Sequence, residues 1–299
     1  MVMTPPTTRP YVGRFAPSPS GPLHFGSLVA ALGSFLQARS QQGRWLVRIE
    51  DIDPPREMAG AADLILQTLE AHGLAWDGEV IYQSRRHDRY DEIIAALHRA
   101  GDLYWCRCTR REIMASGGFY NGHCRNLALA PAGCAARLRQ HHPVYRFEDA
   151  LQGEIRVPAA LAEEDFIVRR RDGLYAYNLA VVVDDMDSGI TEIVRGADLL
   201  EPTVRQIALY QTLGAEIPAW VHLPLAVLPD GNKLSKQNHA PALNPDEASA
   251  SLWQALAFLG QCPPPELREG AVDEIVAWGI AHWQLARVPA SEKIQLADY

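Results

Sequence analysis

The sequence predicts an α/β fold on a parallel sheet, interrupted by a small cysteine-bearing subdomain and followed by a short helical C-terminal region. Three observations carry that prediction. The N-terminal third runs strand, helix, strand, a βαβ unit whose crossover is right-handed and whose strands are therefore parallel. Cys106, Cys108 and Cys124 fall within 19 residues, among glycines and arginines that break the α/β pattern. Beyond about Pro263 the stretch "VDEIVAWGIAHW" has helical spacing and little else does.

In chain order, "YVGRFAP" reads as a strand entering a Pro/Ser/Gly turn, and "LHFGSLVAALGSFLQARSQQG" as a helix with Gly43 beyond its end. "RWLVRIEDID" is a buried strand with acids at its C-terminal end. "MAGAADLILQTLEAHGLAWD" and "RYDEIIAALHRAGDLYWC" are amphipathic helices, and "LYAYNLAVVVDDMDSGITEIVRG" contains a further buried strand. The domain reading is thus 1–105 for the first half of the α/β domain and 106–158 for the insertion. Its second half spans 159–240, and 241–299 form the C-terminal region.

With 299 residues, 47% of them hydrophobic, the chain can bury one large or two modest cores. It has no run of about 18 apolar residues, and "MVMTPPTTRPYVGR" lacks the apolar core of a secretory signal, so a cytoplasmic protein without membrane contact is expected. A net charge of −8 argues against an extended nucleic-acid footprint. Such contact would be local, through Arg85-Arg86, Arg110-Arg111 or "RRRDG" from Arg169. Five cysteines without an export signal point to a metal site or free thiols, not to a disulfide framework.

Two stretches suit nucleotide chemistry. "RFAPSPSGPLHFGS" places small turn residues between a strand and a helix N-terminus, where unpaired N–H groups and the dipole favour phosphate. "DGNKLSKQN" holds Lys233 and Lys236 in a polar loop able to close over a triphosphate. In the cysteine segment three thiolates in a glycine-rich loop fit a closed structural zinc site that needs a fourth ligand. His123 and Tyr120 compete for that place: imidazole is the easier ligand, but His123 adjoins Cys124, and neighbours converge poorly on one ion.

"RFAPSPSGPLHFG", "RIEDID", "YNLAVVVDDMDSGITEIVRGADL" and "NKLSK" occur in the order and spacing of the glutamyl branch of class I aminoacyl-tRNA synthetases, and the chain resembles that family from about Tyr11 to Ala240. The resemblance implies a Rossmann-type catalytic domain that binds ATP between its HIGH-like and KMSKS-like elements, with Mg²⁺ accompanying the ATP and L-glutamate as the amino acid. HIGH here reads His24-Phe25-Gly26-Ser27. ATP is thus expected at His24, Gly26 and Lys236, with His24, Lys233 and Lys236 neutralising charge during adenylate formation. By the same resemblance the glutamate site falls on Arg14, Phe15, Ala16, Pro17, Ser18, Glu50, Tyr177 and Arg195. This accords with the need of two carboxylates for arginine forks and of an ammonium for an acid. Asp51, Asp53, Asp184 and Asp185 are structural or orient those arginines. The zinc-bearing members of the family show Cys-x-Cys, Tyr, Cys, which selects Cys106, Cys108, Tyr120 and Cys124.

Of the 299 residues only 63 follow Lys236, so no anticodon-binding domain is expected. That feature, "KLSKQN" and the Cys/Tyr pattern resemble the short paralogues of the branch, which attach glutamate to the queuosine base in the anticodon of tRNA(Asp). A monomer acting on ATP, L-glutamate and queuosine-bearing tRNA(Asp) is the expectation. The alternatives are a truncated or discriminating glutamyl-tRNA synthetase charging a 3′ end, and a synthetase-like binding protein without catalysis.

Overall fold

The structure, a computed structural model, describes residues 9–228, 231, 234 and 241–296. Its first unit is β1 (Val12–Phe15), α1 (Phe25–Ser40) and β2 (Arg44–Ile49), with β1 and β2 parallel from Val12↔Arg44 to Phe15↔Val47. This is the expected βαβ unit. Helix α1 is buried nearly all round because the sheet covers one side and the C-terminal helices the other. Gly33 allows the close approach to the sheet, since a Cβ there would lie 2.5 Å from Leu223 Cδ1.

The chain continues through α2 (Ala61–Ala71), β3 (Ile81–Tyr82), parallel to β2, and α3 (His87–Ala100). An antiparallel unit follows: β4 (Leu103–Cys106), the short α4 (Arg110–Ala115), β5 (Ala135–Leu138), the hairpin β6 (Arg146–Asp149) and β7 (Gly153–Arg156), α5 (Ala159–Ala162) and β8 (Ile167–Arg169). Strand β5 pairs with both β4 and β8, so the unit draws its outer strands from either side of the cysteine segment.

The parallel architecture resumes with α6 (Tyr177–Asp187), β9 (Glu192–Gly196), α7 (Thr203–Thr212) and β10 (Ala219–Leu223), β9 and β10 pairing in parallel. The Thr191 amide donates to Val12 O at 2.9 Å, which sets β9 beside β1. The strand order is therefore β3-β2-β1-β9-β10, and the chain changes direction between β1 and β9. Open α/β sheets bind ligands at such a reversal, outside the carboxyl ends of the strands. In the stretch expected to hold a buried strand, that strand is β9. The Val181–Val183 run is helical instead, because α6 is buried along its length and its packing outweighs the β preference of valine.

The remaining elements are β11 (Leu225–Val227), α8 (Ala248–Phe258), α9 (Val272–His282) and β12 (Lys293–Gln295), the last parallel to β11. Trp283 Nε1 donates to Gln37 Oε1 at 2.8 Å, tying this region to α1. No described helix is long and apolar enough to cross a membrane.

Candidate active site

The loop after β1 is stitched to the end of β2, for the Glu50 amide donates to Pro17 O at 3.0 Å. Beside this seam lies a cavity of about 790 Å³, lined among others by Ser18, Ser20, Glu50, Tyr175, Tyr177 and Leu199. It sits at the carboxyl ends of β1, β2 and β9. Phe15 turns its ring away from the loop into the core, stacked on Trp45 at 6.4 Å. Its side chain is thus part of the core and not of the cavity lining.

Under the cavity runs a buried ionic network. Arg14, on β1, grips Asp185 of α6 through Nε and Nη2 at 3.1 and 3.2 Å. Arg48, on β2, bonds Asp185 at 2.5 Å and Glu50 at 3.1 Å, and approaches Asp184 at 3.7 Å. Asp184 also receives Gln83, Arg86 and the Tyr90 hydroxyl. Burial alone would raise the Asp185 carboxyl, but Arg14 and Arg48 outweigh it and hold it below the usual carboxylate range. Glu50 goes the other way: burial dominates over Arg48 and Arg14 and keeps its carboxyl above its ordinary value. Arg14, Arg48 and Arg86 thus balance the charges of Glu50, Asp184 and Asp185.

Arg195, on β9, differs. Its Nε donates to His222 Nε2 at 3.0 Å, and its Nη2 to Thr203 Oγ1 at 2.7 Å and Leu199 O at 3.3 Å. All three acceptors are neutral. Its Nη1 is buried and has no hydrogen-bond partner, and among the described residues no carboxylate pairs with it. Burial pushes its guanidinium below its ordinary value, while Tyr177, Arg14, Asp185 and Glu50 are near enough to act on it through their charge. Among the described residues Arg195 is thus a buried cation without a carboxylate in contact, bonded to Leu199, which lines the cavity.

His24 caps α1: its backbone is extended and its Nδ1 accepts from the Ser27 amide at 3.3 Å. Gly26 lies against the His24 ring, where a Cβ would come within 3.1 Å. The first turn of α1 is therefore narrow, with no side chain at Gly26 to crowd the backbone beside His24. Leu234 is buried, its carbonyl 3.6 Å from the place of that Cβ, so this residue lies at the N-terminus of α1. Lys233 and Lys236 lie outside the described residues.

The antiparallel unit gathers the thiols. Cys106, Cys108 and Cys124 present sulfurs within 4.8 Å of one another, with 3.5 Å between Cys108 and Cys124. Around a tetrahedral zinc with bonds of about 2.3 Å, sulfurs stand roughly 3.8 Å apart, so the group could hold such an ion. Tyr120 is buried in the same small cluster, its hydroxyl accepting from the Cys124 amide at 2.7 Å. Neither His123 nor Cys134 joins the group.

Residues that the sequence reading passed over complete the site: Arg48, His222, Thr203, Asp149 and Leu199. Arg48 and His222 had a usable signal, each being a polar side chain in an otherwise apolar strand, and Arg48 shares a face with Glu50 two positions on. Asp149, in a distant hairpin, had none.

The model for the catalytic domain of class I tRNA synthetases (E and Q) matches residues 11–251. The chain is 62% identical over 290 residues to the glutamyl-Q tRNA(Asp) synthetase of Serratia proteamaculans, covering 97% of this chain and 96% of that protein. It is 59% identical over 285 residues to the protein of the same name from Escherichia coli K12, with 95% and 92% covered. In fold it resembles the crystal structure of glutamate–tRNA synthetase from Elizabethkingia anophelis, at a TM-score of 0.80 and 24% identity over 97% of this chain and 68% of that one. With its parallel sheet, helix-capped loop and paired arginines, the chain belongs to the class I tRNA synthetase family of the E and Q type and, within it, groups with the glutamyl-Q tRNA(Asp) synthetases.

Proposed function

We propose that the protein activates L-glutamate with ATP and transfers it to the queuosine base in the anticodon of tRNA(Asp). The observation that carries this reading is Arg195: a buried guanidinium whose contacts are all neutral and whose Nη1 is unpaired, beside Arg14, Tyr177 and Glu50. A dicarboxylate bearing an ammonium group matches that set. Arg195 and Arg14 attract the carboxylates, the Tyr177 hydroxyl hydrogen-bonds one of them, and Glu50 receives the ammonium, which opposes the effect of burial on its carboxyl. Ser18 lines the pocket, and Phe15, Ala16 and Pro17 lead the chain to it from β1.

In the first step an oxygen of the glutamate α-carboxylate bonds to the α-phosphorus of ATP and pyrophosphate leaves, giving glutamyl-adenylate. Such a step is accelerated mainly by positioning and by neutralising developing charge. His24, Gly26 and the first turn of α1 hold the nucleotide, Lys233 and Lys236 neutralise it, and Mg²⁺ accompanies it. In the second, a hydroxyl of the queuosine cyclopentenediol attacks the activated carbonyl, and AMP departs. Cys106, Cys108, Tyr120 and Cys124 would hold one Zn²⁺, which would stabilise the antiparallel unit as a structural ion.

The test uses labelled glutamate, ATP and two preparations of tRNA(Asp), with and without queuosine. Label is expected only in the first. Equal labelling of both, or labelling of tRNA(Glu), overturns the reading.

A further inference from the structure

We infer that Asp149 and His222 are positioning residues: they lock the guanidinium of Arg195 in the orientation that turns Nη1 toward the substrate carboxylate. The inference rests on Arg195 being a glutamate ligand, as proposed above.

His222 on β10 is the register partner of Arg195 on β9, and it is wholly buried. An arginine can only donate, so the 3.0 Å contact with Arg195 Nε makes His222 Nε2 an acceptor. The ring proton is then on Nδ1, which donates to Asp149 Oδ2 at 2.7 Å. Thr203 does not compete for Nε2, because its one hydroxyl proton goes to Leu199 O at 2.8 Å while its oxygen accepts from Arg195 Nη2.

Asp149 is itself immobilised. Its Oδ1 accepts from the amides of Leu151 and Gln152 in the β6–β7 turn at 3.0 and 2.8 Å, and the Gln152 side chain returns to His222 O at 2.9 Å. The relay therefore runs from the hairpin of the antiparallel unit, through one imidazole, to the floor of the amino-acid pocket. With Nε and Nη2 of Arg195 both taken, the guanidinium cannot rotate without breaking two buried bonds, and Nη1 is left for the ligand.

The tautomer makes the inference testable. In Asp149→Asn the amide oxygen can still accept from the turn, but the NH₂ group faces His222 Nδ1. The imidazole must then accept there and carry its proton on Nε2, where it opposes Arg195 Nε–H, donor against donor. A carboxylate-to-amide change of this kind is known to impose the wrong histidine tautomer while leaving geometry intact.

In glutamate-dependent ATP–pyrophosphate exchange, Asp149→Asn and His222→Leu should each raise the KM for glutamate by roughly 10- to 100-fold, the range for losing a charged hydrogen-bond support. The KM for ATP should stay within about twofold of the wild type, the same tolerance used for every comparison here. His222→Gln, whose carbonyl can still accept from Arg195, should recover most of the loss. Asp149→Asn keeps the number of heavy atoms in the core and carries the test if His222→Leu does not fold. Glutamate KM unchanged within that tolerance in Asp149→Asn, or rising in step with the KM for ATP, overturns the relay. A wild-type protein that shows no glutamate-dependent exchange overturns the proposed function instead, and the relay with it.

Discussion

The amino-acid pocket and the cysteine cluster are both polar sites inside the same chain, yet they are held in opposite ways. Around the pocket Glu50, Asp184 and Asp185 are each matched by an arginine, on strands and a helix embedded in two large apolar clusters. Arg195, beside them, has no carboxylate in contact among the described residues. The cysteine cluster has a buried core of Tyr104, Cys106, Tyr120 and Cys124 alone, and its sulfurs face each other rather than partners of opposite charge. The first site is assembled by the fold before any ligand arrives. The second is a set of donors that could hold an ion.

The contrast is broken most severely at Arg48. Replacing it by Met leaves Asp184, Asp185 and Glu50 buried with one cation too few, and removing one partner of a buried pair costs about 3–5 kcal/mol. Arg48→Met should lose stability on that scale in urea unfolding and, because Arg14 and Glu50 are anchored through the same network, lose glutamate activation too. Arg48→Lys keeps the charge but not the fork that spans Glu50 and Asp185, and should fall between. An Arg48→Met protein as stable as the wild type would mean that the pocket is not held by its ion pairs.

Metal removal acts on the other side. Chelation, or Cys124→Ser, should speed amide hydrogen exchange between about Cys106 and Cys134 by roughly tenfold or more, equivalent to about 1.4 kcal/mol of local stability. Amides of β1, β2 and β9 should be unaffected. Exchange that rises across both regions, or in neither, would erase the distinction.

The two regions were also unequally legible. The βαβ unit, the turn before His24 and the cysteine spacing follow from local rules, strand and helix periodicity and ligand chemistry, and they are visible in a few residues each. What joins them is not local. Asp149 reaches the pocket only because the β6–β7 hairpin packs on β10, and nothing in "RFED" says so. The helical Val181–Val183 run is another case, since its conformation is set by what surrounds α6. The role of Asp185 was half visible as an acid that could orient arginines; its two partners, 171 and 137 residues away, were not.

A residue outside both regions gives the smallest effect and a control for the rest. His72 caps the end of α2, is buried, and has a partner for Nδ1, the carbonyl of Thr68 at 2.7 Å, but none for Nε2. Burial lowers its pKa below the ordinary 6.5, and it does the same at His222. Below about pH 6.5 the unfolded chain therefore takes up protons that the folded one refuses, so stability falls as pH drops from there toward the folded pKa, and is flat above. The depressed carboxylates Asp149 and Asp185 act in a different window, their contribution being lost only as pH falls below about 3.8 through their folded values. Between pH 7 and 5 each histidine can contribute a slope of at most about 1.4 kcal/mol per pH unit. His72→Leu should reduce the measured slope by up to that amount while leaving glutamate KM unchanged, whereas the His222 variants should alter both. If His72→Leu leaves the slope as it was, His72 does not contribute to it, and the two buried imidazoles are not equivalent.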